Sequence, residues 1–213
     1  MDFLDPKIEY YALDHTEKES PLLSNLNRQT HLKVLQPRML SGHLQGRILS
    51  FLATAVKPKF VLEIGTYTGY SALCLAEGLD NNGKLITIDK NPELEPFASS
   101  YFNESSFKDQ IEFINGDALE VIPTLRYKWD LVFIDADKEN YINYFDLVVN
   151  NVNSGGWIIA DNVLWSGKVL KEASSNDMET SIIQQFNEKV HLDDRVRNVL
   201  FPVRDGMMVM IKN

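Results

Sequence analysis

Carboxylate side chains stand at or beside the ends of five short apolar runs of the sequence. In chain order they are Glu63, Asp89, Asp117, Asp135 and Asp161. If the runs are parallel strands of one sheet, their carboxyl ends share one edge, and open parallel sheets bind their ligands at that edge. Acidic groups in register along the edge predict a rim that binds a cation or a molecule with several hydroxyl groups.

The last two runs are followed by the most specific group of polar side chains. Asp135 begins the segment DADK, and Asp161 and Asn162 form the segment DN. Two carboxylates and an amide are oxygen ligands that Mg²⁺ or Ca²⁺ prefers, and they leave coordination positions open for a substrate. A single aspartate at such a place is more commonly a cap or turn residue. The prediction of a cation site therefore depends on the three residues together.

Lys138 lies three residues after Asp135, past the end of the run. A lysine close to a bound cation has its charged form disfavoured, which makes it a candidate general base. A lone lysine is otherwise normally a solvated loop residue. The four histidines show no spacing typical of metal ligands.

The first run, FVLEI (60–64), is followed at once by GTYTG (65–69). Such a turn lets the backbone approach a ligand, but it also occurs as a plain strand-to-helix turn. Tyr67 stands where GxGxxG has its second glycine, which weakens a dinucleotide-binding interpretation. Asp89 ends the next run, where an acid binds ribose hydroxyls or else caps a helix. Together the two features favour an adenosine-containing cofactor.

The elements that must position these residues alternate between strands and helices. The predicted strands are 60–64, 84–88, 111–115, 129–134 and 156–160, and the predicted helices between and after them are 70–79, 92–103, 138–152 and 176–190. Apolar runs of this length, bounded by turn residues, are typical of central parallel strands. The alternation predicts an α/β doubly wound sheet.

The two ends of the chain differ from this pattern. Segments 195–203 and 205–213 are strand-like and joined by a short polar turn, which predicts a hairpin that closes the sheet. Residues 1–58 lack strand signals and contain two or three predicted helices, including the stretch 31–56. We expect one domain, 1–213, with an N-terminal helical region (1–58) that covers the acceptor site and a cofactor-binding core (59–213).

The composition excludes several other classes of protein. The 213-residue chain is 44% hydrophobic and 24% charged, which is ordinary for a soluble domain. The 21 basic and 30 acidic side chains give a net charge of −9, which disfavours non-specific binding to nucleic acid. The lone cysteine, Cys74, can form no internal disulfide. No apolar run reaches the roughly 18 residues of a membrane span, and no signal peptide is recognisable, so we expect a cytoplasmic protein.

Four segments, taken in order, resemble the cation-dependent class I O-methyltransferases. They are VLEIGTYTGYSALCLAEGL, GKLITIDKNPE, WDLVFIDADKENYINYF and GGWIIADNVLWSGKV. The similarity is to the caffeoyl-CoA O-methyltransferase subgroup, with catechol O-methyltransferases as more distant relatives, and it extends from about Met39 to the C-terminus. The resemblance implies a seven-stranded, Rossmann-like methyltransferase sheet with a C-terminal antiparallel hairpin, and a homodimer.

The resemblance also implies roles for individual residues. Those matching the S-adenosylmethionine site are Ser41, Glu63, Gly65, Thr66, Ser71, Asp89, Asp117, Ala118, Asp135 and Asp137. Asp135, Asp161 and Asn162 match the ligands of a divalent cation, with Mg²⁺ expected ahead of Ca²⁺ or Mn²⁺, and Lys138 matches the general base. The implied reaction is methyl transfer to a hydroxyl of a catechol-type aromatic, such as a caffeoyl derivative.

The sequence is compatible with more than one acceptor of the methyl group. Ser166 stands where the plant enzymes have an asparagine that helps to hold substrate, and the N-terminal residues match only loosely. One alternative is methylation of a hydroxylated uridine in tRNA, for which the N-terminal half offers Lys33, Arg38, Arg47, Lys57 and Lys59. A nicotinamide-dependent oxidoreductase is disfavoured by the missing GxGxxG. A cofactor-binding module without catalysis is disfavoured because the three ligands and Lys138 are all present.

Overall fold

The computed structural model describes residues 6–174 and 176–213, and it contains one seven-stranded sheet between two layers of helices. The strands are β1 (Phe60–Ile64), β2 (Lys84–Asp89), β3 (Ile111–Asn115), β4 (Trp129–Ile134), β5 (Val152–Ala160), β6 (Val196–Phe201) and β7 (Met207–Lys212). Their order in the sheet is β3-β2-β1-β4-β5-β7-β6. The first five strands are parallel, and β7 pairs antiparallel with both β5 and β6. The predicted doubly wound sheet and its closing hairpin are confirmed.

Helices cover both faces of the sheet. They are α1 (Pro6–Asp14), α2 (Pro21–Lys33), α3 (Gly42–Val56), α4 (Tyr70–Ala76), α5 (Glu95–Glu104), α6 (Ala118–Val121), α7 (Tyr141–Val148) and α8 (Met178–Leu192). Helices α2 to α5 contribute to the core on one face, and α6 to α8 contribute to the core on the other. Because β1 and β4 are buried on both faces, their near-continuous apolar sequences follow from their position.

The long predicted helical stretch 31–56 is interrupted. Helix α2 ends at Lys33, a 3₁₀ turn covers Pro37–Met39, and α3 begins at Gly42. Proline disfavours the helical conformation in the residue before it and cannot donate a backbone hydrogen bond, so the helix does not continue through Pro37. The break leaves residues 34–41 beside the carboxyl ends of the strands, where several of them line the main cleft.

The boundaries of two other predicted elements differ from those in the structure for local reasons. Strand β5 starts at Val152 rather than at residue 156, and its pairing with β4 is irregular between Trp129 and Leu131. Gly155 in this stretch has a φ of +79°, which interrupts the alternation expected of a strand. The predicted helix 92–103 begins only at Glu95, and Asn91 instead closes a turn by accepting a hydrogen bond from the backbone N–H of Glu93.

Helix α3 is packed into the core on one face of the sheet. Leu49 and Ala53 are fully buried there, together with residues of α2 and α4. The approach to α4 is close, because a Cβ atom at Gly46 would lie 2.5 Å from Cε1 of Tyr70. No helix among the described residues is long and apolar enough to cross a membrane.

Candidate active site

The carboxyl ends of the parallel strands open into a cleft of about 1400 Å³. Helix α1 and residues 33–41 form part of its wall. The predicted site residues that line it are Ser41, Gly65, Thr66, Ser71, Asp89, Asp117, Ala118, Asp135, Asp137, Lys138, Asp161 and Asn162. Residues up to about 120 positions apart in the sequence thus line one cavity, as expected for residues at the strand ends of one parallel sheet.

Glu63 is the predicted residue that lies beneath the cleft rather than in its lining. Its side chain is 0% exposed, and one carboxylate oxygen accepts a hydrogen bond of 2.5 Å from Thr87 Oγ1. Burial raises the pKa of Glu63 to about 8, although hydrogen bonding by the Ser71 and Thr87 hydroxyls favours the ionised form. The side chain therefore supports the floor of the cleft from below.

The first turn, GTYTG, has a glycine at position 65 because another part of the protein backbone lies close to it. Gly65 has a φ of +100°, and a Cβ atom there would lie 1.9 Å from the carbonyl oxygen of Asp135. The close approach is thus between the ends of β1 and β4, where the sequence pattern had suggested an approach to a ligand. Tyr67 adopts a φ of +49° without being glycine, and its hydroxyl donates to the backbone oxygen of Gln36 at 2.8 Å.

Asp89 closes a turn at the edge of the cleft rather than capping a helix, because α5 begins only at Glu95. One carboxylate oxygen accepts from the backbone N–H of Tyr67 at 2.7 Å, and the other accepts from that of Asn91 at 2.9 Å. The carboxylate also lines the cleft. Each oxygen has a second lone pair, so the same group can still accept hydrogen bonds from two hydroxyls of a ligand.

Asp137 and Asp117 are likewise held by the protein. Asp137 accepts from Tyr144 Oη at 2.7 Å and from Asn140 Nδ2 at 2.5 Å. Burial would raise the pKa of Asp137, but these hydrogen bonds and the charge of Lys90 outweigh it and lower the pKa. Asp117 caps α6 by accepting from the backbone N–H of Leu119 at 2.8 Å.

The register of β4 and β5 brings the predicted cation ligands together. Ile134 pairs with Ala160, so Asp135 and Asp161 follow at neighbouring strand ends, and the backbone N–H of Asp161 donates to the Ile134 oxygen at 3.0 Å. Asn162 follows with a φ of +57°. Among the described residues, no three or more His, Cys, Asp or Glu side chains are arranged to hold a metal ion, so a cation here would depend on the amide of Asn162 as well.

Asp161 is a buried carboxylate with two unequal oxygens. The residue is 3% exposed; Oδ2 accepts from Gln45 Nε2 at 2.7 Å, and Oδ1 has no hydrogen-bond partner in the described parts of the chain. Burial and the charge of Asp135 raise the pKa of Asp161 to about 6, while Lys138 and Gln45 oppose the shift. The buried Oδ1 therefore lies beside a second carboxylate without a hydrogen bond of its own, an arrangement that costs free energy.

Lys138 is buried at the same end of the cleft. Its Nζ lies 3.4 Å from Asp135 Oδ1 and donates to Tyr141 Oη at 2.5 Å. The Tyr141 hydroxyl in turn donates to the backbone oxygen of Asp161 at 3.0 Å. Lys138 is thus fixed within the group formed by the two aspartates and is not the solvated loop lysine that the sequence also allowed.

Left-handed backbone conformations concentrate around the cleft. Six of the described non-glycine residues have a positive φ, and five of the six line the cleft: Tyr67, Asn162, Trp165, Ser166 and Arg204. Such conformations are costly and persist at functional sites where the surroundings enforce them. Around Trp165 and Ser166, the β6–β7 turn enforces the conformation. The backbone N–H of Leu164 donates to the backbone oxygen of Asp205, and the backbone N–H of Ser166 donates to the Asp205 carboxylate.

Trp165 forms part of the cleft wall. Its ring centroid lies 5.9 Å from Lys138 Nζ, and its Nε1 is buried without a hydrogen-bond partner among the described residues.

The basic residues that the RNA alternative would use do not all lie at the cleft. Lys33 and Arg38 line the cleft, whereas Lys57 and Lys59 lie at a separate shallow pocket and Arg47 is buried against Glu77.

Several functional contacts were not predicted from the sequence. Gln45, Tyr141 and Tyr144 each hold a predicted site residue in place, at Asp161, Lys138 and Asp137. Tyr141 follows Lys138 by three residues, a spacing that would have signalled the contact. Gln45 is 116 residues away from Asp161, and no local pattern indicates their pairing. Cys74 is buried in α4, as expected for a small apolar side chain.

Comparisons with known proteins agree with this fold. A caffeoyl-CoA O-methyltransferase of Stellaria longipes is 32% identical over 94% of this chain and 88% of its own length. A catechol O-methyltransferase of Mycobacterium tuberculosis is 35% identical over 74% of this chain and 73% of its own length. The structure of an O-methyltransferase from Bacillus cereus in complex with SAH matches with a TM-score of 0.90 at 27% identity, covering 97% of each chain.

A family model described as O-methyltransferase matches residues 13–213, which is nearly the whole chain. The match includes α2, α3, every strand of the sheet and all the residues that line the floor of the cleft. The chain therefore belongs to the O-methyltransferase family.

Proposed function

We propose that this protein transfers the methyl group of S-adenosylmethionine to a hydroxyl of a catechol-type aromatic, with a divalent cation held by Asp135, Asp161 and Asn162. The observation that carries the proposal is the uncompensated Oδ1 of Asp161, buried beside Asp135 and Lys138 in the cleft. Relatives named for caffeoyl-CoA and catechol substrates support the choice of acceptor.

We assign S-adenosylmethionine as the methyl donor, and the ligands of two similar structures support this. The Bacillus cereus structure contains SAH, its demethylated product, and a further match from Streptomyces achromogenes was solved with SAM. In this chain we assign the ribose hydroxyls to Asp89, whose carboxylate faces the cleft with free lone pairs. Gly65, Thr66, Ser71, Asp117, Ala118 and Asp137 line the same part of the cleft, and Ser41 approaches from the start of α3.

The donor set suits a hard divalent cation. Two carboxylates and an amide oxygen are ligands of the class that Mg²⁺, Ca²⁺ and Mn²⁺ take. The raised pKa of Asp161 indicates that burial and the charge of Asp135 outweigh the nearby charge of Lys138, and Oδ1 of Asp161 is left without a hydrogen-bond partner among the described residues. A cation bound there would supply Lewis-acid stabilisation of negative charge on an acceptor oxygen.

Lys138 is the residue we assign to proton removal from the acceptor hydroxyl. Its Nζ is held by two contacts, to Tyr141 Oη at 2.5 Å and to Asp135 Oδ1 at 3.4 Å. These contacts fix the nitrogen at the end of the cleft where the acceptor hydroxyl would lie, which is the placement that proton removal requires.

Trp165 is the residue we assign to the aromatic ring of the acceptor. Its indole lines the cleft on the side of Lys138. Offset stacking of two aromatic rings would hold the acceptor hydroxyl near the lysine and the aspartates. The Asp205 contacts that fix residues 164–166 keep the indole in place.

The test is methyl transfer from labelled S-adenosylmethionine to caffeic acid or its CoA ester, with p-coumaric acid as the matched acceptor that has a single hydroxyl. Each acceptor is assayed with Mg²⁺ and with EDTA. We expect transfer to the catechols only, and its loss with EDTA. Transfer that survives EDTA would contradict the cation site. Absence of transfer to either catechol, with SAH binding intact, would contradict the acceptor and favour the RNA alternative.

A further inference from the structure

Gln45 contacts Asp161, a carboxylate of the cleft whose buried Oδ1 has no hydrogen-bond partner among the described residues. Its amide Nε2 donates to Asp161 Oδ2 at 2.7 Å, and the residue itself is 2% exposed. The contact joins α3 to the end of β5 across 116 residues of sequence. A buried hydrogen bond of this length restricts the rotation of the carboxylate about its last side-chain bond.

Helix α3 holds Gln45 rigidly, because its two following residues fasten the helix to α4. Gly46 allows the closest approach, since a Cβ atom there would lie 2.5 Å from Cε1 of Tyr70. Arg47 forms a two-point ion pair with Glu77, at 2.8 Å and 2.9 Å. A donor on an element fixed in this way can hold its partner in one orientation.

We infer that Gln45 is a positioning residue that holds Asp161 through Oδ2 so that Oδ1 stays available to the cation. The inference rests on the cation site proposed above. An amide donates a hydrogen bond without adding charge, whereas a glutamate at position 45 would place a third carboxylate beside Asp135 and Asp161. An apolar side chain would leave Oδ2 without its donor. Hydrogen bonds to ligating carboxylates typically affect metal affinity by roughly 10- to 100-fold.

The test is Mn²⁺ binding to the full-length protein, followed by the electron paramagnetic resonance signal of free Mn²⁺. The main variant is Gln45→Met, which keeps the length of the side chain and removes the donor. The matched control is Gln185→Met, because Gln185 is exposed on α8 and donates only to Ser181 one turn away. SAH affinity in EDTA is measured on the same samples by calorimetry.

We expect Gln45→Met to weaken Mn²⁺ binding by roughly 10- to 100-fold, with SAH affinity and the control unchanged within about threefold. If Gln45→Met does not fold, Gln45→Asn serves instead. It keeps the amide but shortens its reach, so we expect weaker Mn²⁺ binding from it as well. Equal Mn²⁺ affinity in wild type and variant would overturn the positioning role alone. Absence of Mn²⁺ binding by the wild type would overturn the proposed cation site, and the inference with it.

Discussion

The two halves of the cleft differ in how far the protein satisfies its own charged groups. In the half that we propose binds the cofactor (the cofactor half), Asp89 and Asp137 each accept hydrogen bonds at both carboxylate oxygens. In the half that we propose binds the cation and the acceptor (the acceptor half), Asp161 accepts a side-chain hydrogen bond at Oδ2, from Gln45, and has no partner for Oδ1 among the described residues. Trp165, in the same half, has a buried indole nitrogen that is also unpartnered there.

Glu63 shows why this difference concerns charge as well as hydrogen bonding. It too has a buried oxygen without a partner in the described chain, but burial raises its pKa to about 8, so it is largely neutral near pH 7. The pKa of Asp161 is raised less, because Lys138 and Gln45 oppose the effects of burial and of the Asp135 charge. The cofactor half is thus organised by the protein alone, whereas the acceptor half contains negative charge that a bound cation would compensate.

The largest effect is expected from Asp161→Ala. Stabilisation by a cation is worth several kcal/mol, and each 1.36 kcal/mol is tenfold in rate, so turnover with Mg²⁺ should fall by at least about 1000-fold. The measurement is the initial rate of methyl transfer to a catechol. Asp146→Ala is the control, because Asp146 forms a surface ion pair with Lys189 outside the cleft. Retention of more than a tenth of wild-type turnover by Asp161→Ala would remove the cation from the account.

Lys138→Met should lower kcat by roughly 100- to 10,000-fold, the usual contribution of general base catalysis. Mn²⁺ and SAH affinities should change by less than about fivefold, because the amine is assigned to the proton and to neither ligand. The rate is compared with that of Lys189→Met, which removes a lysine from an ion pair on α8. A variant with normal kcat and a raised KM for the acceptor would show that Lys138 binds substrate without taking its proton.

Asp89→Asn sharpens the comparison from the cofactor half. The variant keeps one oxygen as an acceptor and loses the charge, so SAH affinity should fall by roughly 10- to 100-fold, the range of one or two charge-assisted hydrogen bonds. Calorimetry measures this directly, and turnover should recover at saturating S-adenosylmethionine. Mn²⁺ affinity should not change. An SAH affinity equal to that of wild type would exclude Asp89 as the ribose contact.

Glu63→Gln gives the smallest effect, on stability rather than on activity. The folded pKa of Glu63, about 8, lies above its ordinary value of 4.5, so the folded state holds the proton more tightly. Stability is therefore lost as the pH rises from about 4.5 to about 8. The neutral variant should melt near the wild-type temperature at pH 5 and several degrees above it at pH 8, measured by differential scanning fluorimetry without ligands.

The surface variant Glu112→Gln is the control for that comparison, because Glu112 pairs with Lys84 in an exposed ion pair. Subtracting its melting curve removes the general effect of one negative charge. A Glu63→Gln protein whose melting temperature follows wild type at both pH values would show that Glu63 is already ionised in the folded state.

Strand ends were the part of the site that the sequence predicted well. Parallel strands place their carboxyl ends at one edge, so reading the residue after each apolar run was enough to bring Asp135, Asp161 and Asn162 into one cleft. The same logic located Asp89 and the GTYTG turn. These residues could be predicted because the end of an apolar run and the type of residue that follows it are both local properties of the sequence.

Contacts between distant elements could not be predicted in this way. Gln45 reaches Asp161 only because α3 packs against α4, and this packing depends on tertiary fit at Gly46. The left-handed conformations of Trp165 and Ser166 are enforced by the β6–β7 turn, some forty residues later. The sequence left open whether the turn at Gly65 approaches a ligand, and it gave no sign that the backbone of Asp135 lies close to this glycine.

The Asp161→Asn variant tests most directly whether a cation compensates the acceptor half while the cofactor half binds its ligand without it. The substitution preserves the size of the side chain and removes one charge. Calorimetric titrations with Mn²⁺ and, separately in EDTA, with SAH should show Mn²⁺ affinity reduced by at least about 100-fold and SAH affinity within threefold of wild type. An unchanged Mn²⁺ affinity, or a parallel loss of SAH affinity, would contradict this division of the cleft.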